Sequence, residues 1–340
     1  MSGHPGIIHS HCVVYAGSHH ANIDLQSFPA TDAATQTIII PHRAVSIIQH
    51  QTRNYYHWLL ESFPKLLLLQ RHLLSHPENA DIRVLVPEPG TCRPCDQTLA
   101  LPAFAALRDR IVPYKRAGTT RYAFPRGLWI VDWIHPREDA HGSLAGNLWG
   151  VYWPPREVHH LVRDFFHHSA GVMAHPAASE GEVGRRSVVY VARKGKTRAF
   201  PNEDALVVYL RNRFGARLVV HTGTEALEEQ VRMFAQARVV VGNHGAGLTN
   251  YVFTRPGRAA LVMVPMHPHV EFCFSHLVAA LSGRSYVVTE IPGAHYYGSY
   301  GSITENQMKV LGDTVEEAFD EMLAAEKGSE LKEGWAHDEL

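Results

Sequence analysis

The stretch that most constrains the fold runs from Val239 to Asn250 and reads VVVGNHGAGLTN. Three valines lead into a glycine-rich turn and a helix-compatible segment, the pattern of a buried strand that passes into a helix. Gly242, Gly245 and Gly247 permit positive φ angles and a close approach of the backbone to another group. The amides that open the following helix would favour an anion such as a diphosphate. The same kind of turn also serves as a plain connection, so the rest of the chain has to decide between the two interpretations.

The length and the charge of the chain narrow its class. A chain of 340 residues suits two domains better than one core. A formal charge of -1 gives no bulk electrostatic reason to bind nucleic acid or an anionic membrane. No apolar run approaches the roughly 20 residues of a spanning helix, and residues 1–25 lack the features of a signal peptide. We therefore expect a globular protein with no nucleic-acid partner and no spanning membrane segment.

Strand and helix patterns alternate along the chain, which predicts an α/β fold. In the first half we predict short strands within 7–50, a helix over 54–73 with a break near Pro64, a strand over 81–86, a helix over 98–107 and a strand over 127–131. In the second half we predict helices over 156–168, 203–214, 227–237 and 274–281, strands over 187–193, 217–221, 239–242, 259–264 and 285–288, and a linker over 174–184. Helix starts are expected at an Asn202 cap and at two capping boxes, Thr222 with Glu225 and Thr314 with Glu317.

Four cysteines are too few for a disulfide scaffold. Cys92 and Cys95 form a CRPC sequence in a segment that is typical of a loop and not of a helix start. Structural zinc needs four ligands, and the chain has no second CxxC. We expect a surface disulfide or two free thiols.

A polar group interrupts the apolar helix predicted over 54–73. Asn54, His57 and Glu61 are spaced i, i+3 and i+7, which would put all three on one helical face. An exposed face that carries a His–Glu pair is one interpretation. The functional one is a carboxylate, oriented by an imidazole, that acts as general base on a hydroxyl.

Four cations follow a predicted strand in the segment RKGKTR, namely Arg193, Lys194, Lys196 and Arg198. Such charges are usually solvated. Beside an anion-binding turn at the end of a neighbouring strand, they could instead clamp a diphosphate through bidentate hydrogen bonds.

Taken together, these motifs resemble those of the family 61 glycosyltransferases, which include the EGF-domain O-GlcNAc transferase and plant xylan xylosyl- and arabinosyltransferases. The similar motifs occur in the family's order over about residues 50–290. They are N-x-x-H-W-x-x-E-x-x-P at Asn54–Pro64, R-x4-R-x3-N-E at Arg193–Glu203, the Gln230 helix, V-G-x-H-G-A-G-L-T-N at Val241–Asn250 and F-x-x-P-G at Phe253–Gly257.

The resemblance implies a GT-B architecture, in which two Rossmann-like domains face each other across a cleft. It also implies inverting transfer of a sugar from a nucleotide donor, commonly UDP-linked, to a hydroxyl of a glycan or protein acceptor. We accordingly expect an acceptor-side domain in 1–155, a helix and linker in 156–186, a nucleotide-sugar-binding domain in 187–300, and a C-terminal helix and tail in 301–340.

The resemblance also assigns roles to residues. Glu61 is expected to be the base with His57 orienting it, and the opposite assignment stays open. The expected substrate-binding residues are Asn54, Arg193, Arg198, Gly242, His244, Gly245, Ala246, Gly247 and Asn250. Because the chain lacks D-x-D, we expect no metal ion and no cofactor, with cations and helix amides stabilising the departing UDP.

Two features depart from the family pattern. Met263 stands where the family often has an acidic residue, and Glu271 is a possible replacement. The chain ends in His337-Asp338-Glu339-Leu340, which matches an ER-retrieval tetrapeptide. This predicts the ER lumen or secretory pathway if an upstream signal exists, and the cytoplasm otherwise.

Two other function classes stay open at the level of sequence. A pseudo-enzyme that binds a nucleotide or carbohydrate without catalysis is compatible with the Met263 departure. A dinucleotide-dependent oxidoreductase would use the glycine turn, but the expected G-x-G-x-x-G is missing and the cations would be unexplained.

Overall fold

The computed structural model describes residues 7–9, 36–48, 52–115, 120–131, 154–172, 187–266, 272–292 and 300–337. The chain forms two compact units, Met1–Pro155 and Arg156–Leu340. Both units contain parallel sheets with helices, which confirms the mixed α/β fold. The GT-B arrangement and the roles expected of the segments 1–155, 156–186, 187–300 and 301–340 stay predictions.

The larger sheet of the first unit is parallel and has four strands. In spatial order these are β5 (Ile111–Tyr114), β4 (Arg83–Pro87), β3 (Ala44–Ser46) and β7 (Leu128–Ile130). Since β4 and β5 are added on one side of β3 and β7 on the other, the strand order reverses between β3 and β7. Parallel sheets bind ligands at the carboxyl ends of the strands where such a reversal occurs.

A second sheet in this unit has the order β1 (Ile7–His9), β6 (Thr120–Ala123) and β2 (Gln36–Ile39). The helices of the unit are a π-helix (His57–Ser62), α1 (Phe63–Ser75), α2 (Arg93–Leu99) and two 3₁₀ helices (Pro77–Asn79 and Pro102–Arg110). The change from π- to α-helix lies next to Pro64, where the sequence predicted a break. Proline has no N–H to donate to the preceding turn, so an irregularity there is expected.

The second unit contains a five-stranded parallel sheet. Its spatial order is β12 (Arg284–Val287), β11 (Ala260–Val264), β10 (Ala237–Asn243), β8 (Ser187–Val191) and β9 (Leu218–His221). Its helices are α3 (Arg156–Ser169), α4 (Glu203–Phe214), α5 (Leu227–Ala235), α6 (Phe272–Ala280), α7 (Glu305–His337) and two 3₁₀ helices (Gly215–Arg217 and Ala246–Phe253). The strand order reverses between β8 and β10, as in doubly wound folds.

The core of this unit explains its strand sequences. All residues of β8, β10 and β11 are buried, as continuous apolar runs predict for strands covered on both faces. One cluster packs Tyr190, Val241 and Val262 of the sheet against Leu210 of α4 and Val315 of α7. Helices packed against the sheet therefore fix the carboxyl ends of β8 and β10 in place.

The predicted start of the last helix was wrong. Thr314 lies inside α7, and its hydroxyl donates to the carbonyl of Val310 at 2.9 Å. The capping box is formed by Thr304 and Gln307, whose side chains bond each other's backbone N–H groups at 3.3 and 3.0 Å. Both candidates have the sequence pattern of a capping box, and the packing of α7 along the sheet selects the earlier one.

Two other predicted caps also differ, although α4 and α5 begin at Glu203 and Leu227 as predicted. Asn202 makes no side-chain cap, because its amide pairs with both backbone groups of Ile303 at 2.8 and 2.9 Å. Glu225 does reach back to the N–H of Thr222 at 2.8 Å, but α5 begins only at Leu227. A tertiary contact therefore overrides the capping pattern at Asn202.

The prediction of a loop at CRPC was wrong. Cys92 caps α2 by accepting a hydrogen bond from the N–H of Cys95 at 3.3 Å, and Pro94 stands in the first turn, where proline is tolerated. Cys92 and Cys95 form a disulfide that is buried and not at the surface. The helix predicted over 98–107 is replaced by the end of α2 and a 3₁₀ helix.

Some predictions fall outside the described residues. These are the linker over 174–184, the last three residues of the C-terminal tetrapeptide and Glu271. Within the residues that the structure describes, no helix combines the length and the hydrophobicity needed to cross a membrane.

Candidate functional site

The π-helix of the first unit carries a His–Glu pair. His57 Nδ1 lies 2.7 Å from Glu61 Oε2. Glu61 is almost fully buried, whereas the side chain of His57 keeps 19% of its surface exposed. Solvent therefore reaches this pair through the imidazole. Single π-helical turns inside longer helices are often found at functional sites.

Asn54 does not share that face. It lies before the helix, where its Oδ1 accepts the N–H of Tyr56 at 3.0 Å and its carbonyl accepts the N–H of Trp58 at 2.9 Å. The expectation of three side chains on one helical face was thus wrong, because Asn54 is used as a cap. Its contact with a substrate stays a prediction.

Buried polar contacts fix the π-helix in the unit. Trp58 Nε1 donates to Thr98 Oγ1 of α2 at 2.8 Å. Lys65, one turn after Glu61, is buried and donates to the carbonyl of Val131 at 2.8 Å. Val131 follows β7 and is itself bonded to Ser46 at the end of β3. Lys65 therefore ties this helix to the reversal point of the sheet.

Sequence analysis missed Lys65. A lysine four residues after Glu61, within an otherwise apolar helical run, was a signal that could have marked it.

In the second unit two loops leave the sheet at its reversal point. The residues Arg193–Arg198 follow β8 closely, and the glycine turn follows the neighbouring strand β10. The two motifs that the sequence placed at strand ends are thus brought together. This is the geometry from which parallel sheets usually bind ligands.

The four cations of the first loop do not act as one cluster. Lys194 pairs with Asp204 at 2.6 Å and is largely exposed. Lys196 donates to the carbonyl of Thr222 at 3.0 Å, beyond β9. Arg193 and Arg198 are the more buried pair, and neither has a carboxylate partner within 4 Å in the described part of the chain.

Arg193 is held from several sides. Its Nε and Nη2 both donate to the carbonyl of Thr197, at 3.0 and 2.9 Å. Its backbone N–H donates to Glu203 Oε1 at 2.8 Å, and the same oxygen accepts the hydroxyl of Tyr190 at 2.7 Å. Burial, and next the like charge of Arg198, lower the pKa of Arg193. An anion bound beside the two guanidinium groups would offset the repulsion between their like charges.

The glycines of the turn are required by packing. A Cβ on Gly245 would lie 1.7 Å from Arg193 Nη1. On Gly242 and Gly247 it would lie 3.1 Å from Val191 Cβ and 2.7 Å from Val191 Cγ1. None of the three glycines has a left-handed φ. The expectation of close approach is confirmed and that of positive φ was wrong.

The segment after the turn is a 3₁₀ helix that Ala246 and Gly247 open. Its first amides have no acceptor within the helix and are available to other groups. His244 is half-buried at the mouth of the turn. Its N–H donates to the carbonyl of Val264 at 2.9 Å, and its ring meets the edge of Phe274 at a centroid distance of 5.2 Å.

Asn250 lies away from this opening. It is fully buried, and its amide nitrogen is 3.1 Å from His221 Nε2 and 2.9 Å from Gln230 Oε1. Burial lowers the pKa of His221, which keeps its Nε2 an acceptor. On the other side His221 Nδ1 lies 2.9 Å from Glu225 Oε2, off the line of a good hydrogen bond. Asn250 supports the turn from behind.

Met263 is fully buried in β11, in register with Gly242 of β10 and Val287 of β12. An acidic residue at this position would be a charge in an apolar core, so methionine suits the packing here.

Two further observations bear on ligands. Among the residues described, no three histidines, cysteines or carboxylates are grouped as a metal site would need. A surface depression of about 270 Å³ lies beside the cationic loop, lined by Lys194, Lys196, Phe200, Pro201 and Asp204, among others.

Comparison with known proteins adds one match. The family model described as Glycosyltransferase 61 matches residues 55–262, which is more than half of the chain. The matched region includes His57 and Glu61 as well as both arginines and the glycine turn. A search of curated proteins found none that matches this chain.

Proposed function

The chain belongs to glycosyltransferase family 61, and on that premise we propose that it transfers a sugar from a UDP-linked donor to an acceptor hydroxyl with inversion. Arg193 and Arg198 carry this proposal, because they lie beside the glycine turn with no carboxylate partner among the described residues. A diphosphate would supply the missing negative charge. Bidentate guanidinium–phosphate bonds suit that role.

We propose that the donor is held by the second unit. Its diphosphate contacts Arg193, Arg198, His244 and the amides of Ala246 and Gly247, with Gly242 and Gly245 allowing the close packing. Asn250 acts indirectly, by supporting the turn.

For the first unit, the exposure of His57 supports the assignment that the sequence left as the alternative. An ionised Glu61 only accepts hydrogen bonds, so the proton of a neutral His57 stands on Nδ1 and Nε2 carries a lone pair. His57 Nε2 has no hydrogen-bond partner in the described part of the chain. We therefore propose His57 as the base and Glu61 as the carboxylate that orients it, with Asn54 close to the acceptor.

The reaction balances with these groups. The acceptor oxygen forms a bond to the anomeric carbon as it gives its proton to His57 Nε2, and the bond from that carbon to the diphosphate oxygen breaks. The electron pair leaves with UDP, whose added charge the guanidinium groups stabilise. This chemistry needs the two units to meet around the substrates, which is the GT-B arrangement we propose.

The cellular compartment is also a proposal. Members of this family typically work in the secretory pathway. The disulfide Cys92–Cys95 suits an oxidising compartment. Protease protection of the chain in intact microsomes, lost on adding detergent, would support this. A cytosolic chain with free Cys92 and Cys95 would contradict it.

A pair of variants in one loop tests the donor site. Arg198→Ala should weaken UDP binding by about 1.5–3 kcal/mol, the value of a hydrogen bond to a charged group. Lys194→Ala removes the same charge from the same loop, but Lys194 is exposed and paired with Asp204, so UDP affinity should change little. Isothermal titration measures both. Equal losses of UDP affinity in both variants would mean that the loop attracts UDP through its overall positive charge and not through Arg198 in particular.

Turnover separates an enzyme from a binding protein. Incubation with a panel of UDP-sugars and acceptor glycans should give a product whose anomeric configuration, read by NMR, is inverted. We expect activity to survive EDTA. Activity that is lost in EDTA and restored by manganese would direct attention to carboxylates outside the described residues, such as Asp132 or Glu271. Tight UDP binding with neither transfer nor hydrolysis would favour the pseudo-enzyme. Stabilisation by NAD(P)H alone would contradict a UDP-sugar donor.

A further inference from the structure

The backbone of Arg198 is held in an unfavourable conformation. Its φ angle is 62°, in the left-handed region, and Ser282 is the only other described residue besides glycines with a positive φ. Side chains with a Cβ avoid this region, and where they adopt it the surrounding structure must enforce it. A contact with a neighbouring residue must therefore enforce this backbone conformation at Arg198.

Asn243 makes that contact. It ends β10, is 1% exposed, and donates from Nδ2 to the carbonyl of Arg198 at 3.1 Å. A carbonyl only accepts hydrogen bonds, so the amide of Asn243 must present its nitrogen there. Its Oδ1 is consequently turned away and is buried, with no hydrogen-bond partner among the described residues.

The guanidinium of Arg198 is also incompletely satisfied. Its Nη1 lies 3.3 Å from Met266 Sδ, a weak acceptor. Its Nε is buried and has no partner in the part of the chain that the structure describes. A left-handed backbone and two unpaired polar atoms thus coincide at one contact. Such costs persist where the arrangement serves a function.

We propose that Asn243 is a positioning residue of the diphosphate site. Its hydrogen bond holds Arg198 in the left-handed conformation and joins the loop after β8 to the turn after β10. The guanidinium of Arg198 is thereby fixed beside that of Arg193 before the donor arrives. The effect of Asn243 on affinity rests on the proposed function.

Hydrogen exchange tests the positioning without any ligand. In Asn243→Ala the amides of residues 194–199 should exchange about tenfold faster than in the wild type, since the loop loses the bond that fixes it. The matched control is Thr249→Val in the 3₁₀ helix after the turn. It removes a buried hydroxyl that has no hydrogen-bond partner among the described residues, without touching Arg198. Exchange in the loop should not change there. Unchanged exchange in Asn243→Ala would overturn the proposal.

A second comparison avoids dependence on one variant. Arg198→Gly keeps the carbonyl that Asn243 bonds, but glycine adopts the left-handed region without strain. Adding Asn243→Ala to Arg198→Gly should therefore accelerate loop exchange less than Asn243→Ala does in the wild type. A further acceleration of similar size would show that Asn243 acts on something other than the conformation of residue 198.

Binding then tests the consequence, with UDP and inorganic pyrophosphate as probes. Asn243→Ala should raise Kd for both about three- to tenfold, the effect of one hydrogen bond. In the Arg198→Ala background the same change should have no effect, whereas equal losses in both backgrounds would overturn the coupling. If the wild type binds neither probe but the exchange results hold, the positioning stands and the proposed function fails.

Discussion

Replacing Gly245 with alanine is the most informative perturbation of the glycine turn. The added Cβ would lie 1.7 Å from Nη1 and 2.4 Å from Cζ of Arg193. No real pair of atoms tolerates these separations, so the guanidinium has to move. Its movement breaks the two hydrogen bonds to the carbonyl of Thr197. A side chain at residue 245 would thus block the approach of a phosphate and also displace the guanidinium of Arg193.

The magnitude follows from those contacts. The two bonds share one acceptor and come from a charged donor, so their loss should cost about 1.5–3 kcal/mol of unfolding free energy. UDP affinity should fall about 10- to 100-fold, because each 1.4 kcal/mol is a factor of ten. The backbone of Gly245 is itself extended, with φ 164° and ψ 165°. Alanine is therefore not strained there, and the whole cost comes from Arg193.

The control is the same substitution in an Arg193→Ala background. With the guanidinium gone, Gly245→Ala should be neutral or stabilise the protein by about 0.4–1 kcal/mol, since alanine restricts the unfolded chain more than glycine does. Urea unfolding followed by circular dichroism gives the four stabilities, and isothermal titration gives the UDP affinities. An equal destabilisation by Gly245→Ala in both backgrounds would refute the reasoning, because the clash would then lie elsewhere.

Three further predictions concern other parts of the chain. His57→Ala should lower the rate of transfer about 10²- to 10⁴-fold, the value of a general base, with UDP affinity unchanged. Glu61→Gln should lower the rate less. If steady-state kinetics show a larger loss of rate in Glu61→Gln, the carboxylate is the base. Burial opposes ionisation of Glu225, yet backbone N–H groups including that of Thr222 and the nearby imidazole lower its pKa to about 2. The ionised Glu225 therefore stabilises the fold by about 1–2 kcal/mol after solvent screening, fully above about pH 4.5 and progressively less as the pH falls towards 2. In acid unfolding, Glu225→Gln should lack this pH-dependent loss of stability. Identical acid unfolding profiles of the variant and the wild type would contradict the prediction. Reduction of Cys92–Cys95 should lower the stability of the first unit by about 2 kcal/mol, the chain-entropy value for so short a loop, while UDP affinity is unchanged. Urea unfolding with and without dithiothreitol measures the loss of stability. Equal unfolding midpoints in the two conditions would contradict the prediction.

The sequence alone determined the strand and helix order, the family and the two motifs at strand ends. These depend on local patterns, because burial on both faces demands a continuous apolar run such as the one in β10, and a tight passage between elements demands small residues. The order in which parallel strands meet then brought Arg193 and the glycine turn to one edge of the sheet. The sequence marked both, although it did not say which of the four cations would face the turn.

Tertiary structure decided how the marked residues are used. Lys194 and Lys196 turn to Asp204 and Thr222, partners far enough along the chain that no local pattern reveals them. Gly245 is required by the guanidinium of Arg193 and not by its own φ angle. Asn202 has the sequence pattern of a helix cap, yet it bonds Ile303, about a hundred residues away. Capping, pairing and close packing are satisfied by whichever partner the fold brings nearest, and that partner is fixed only when distant segments pack.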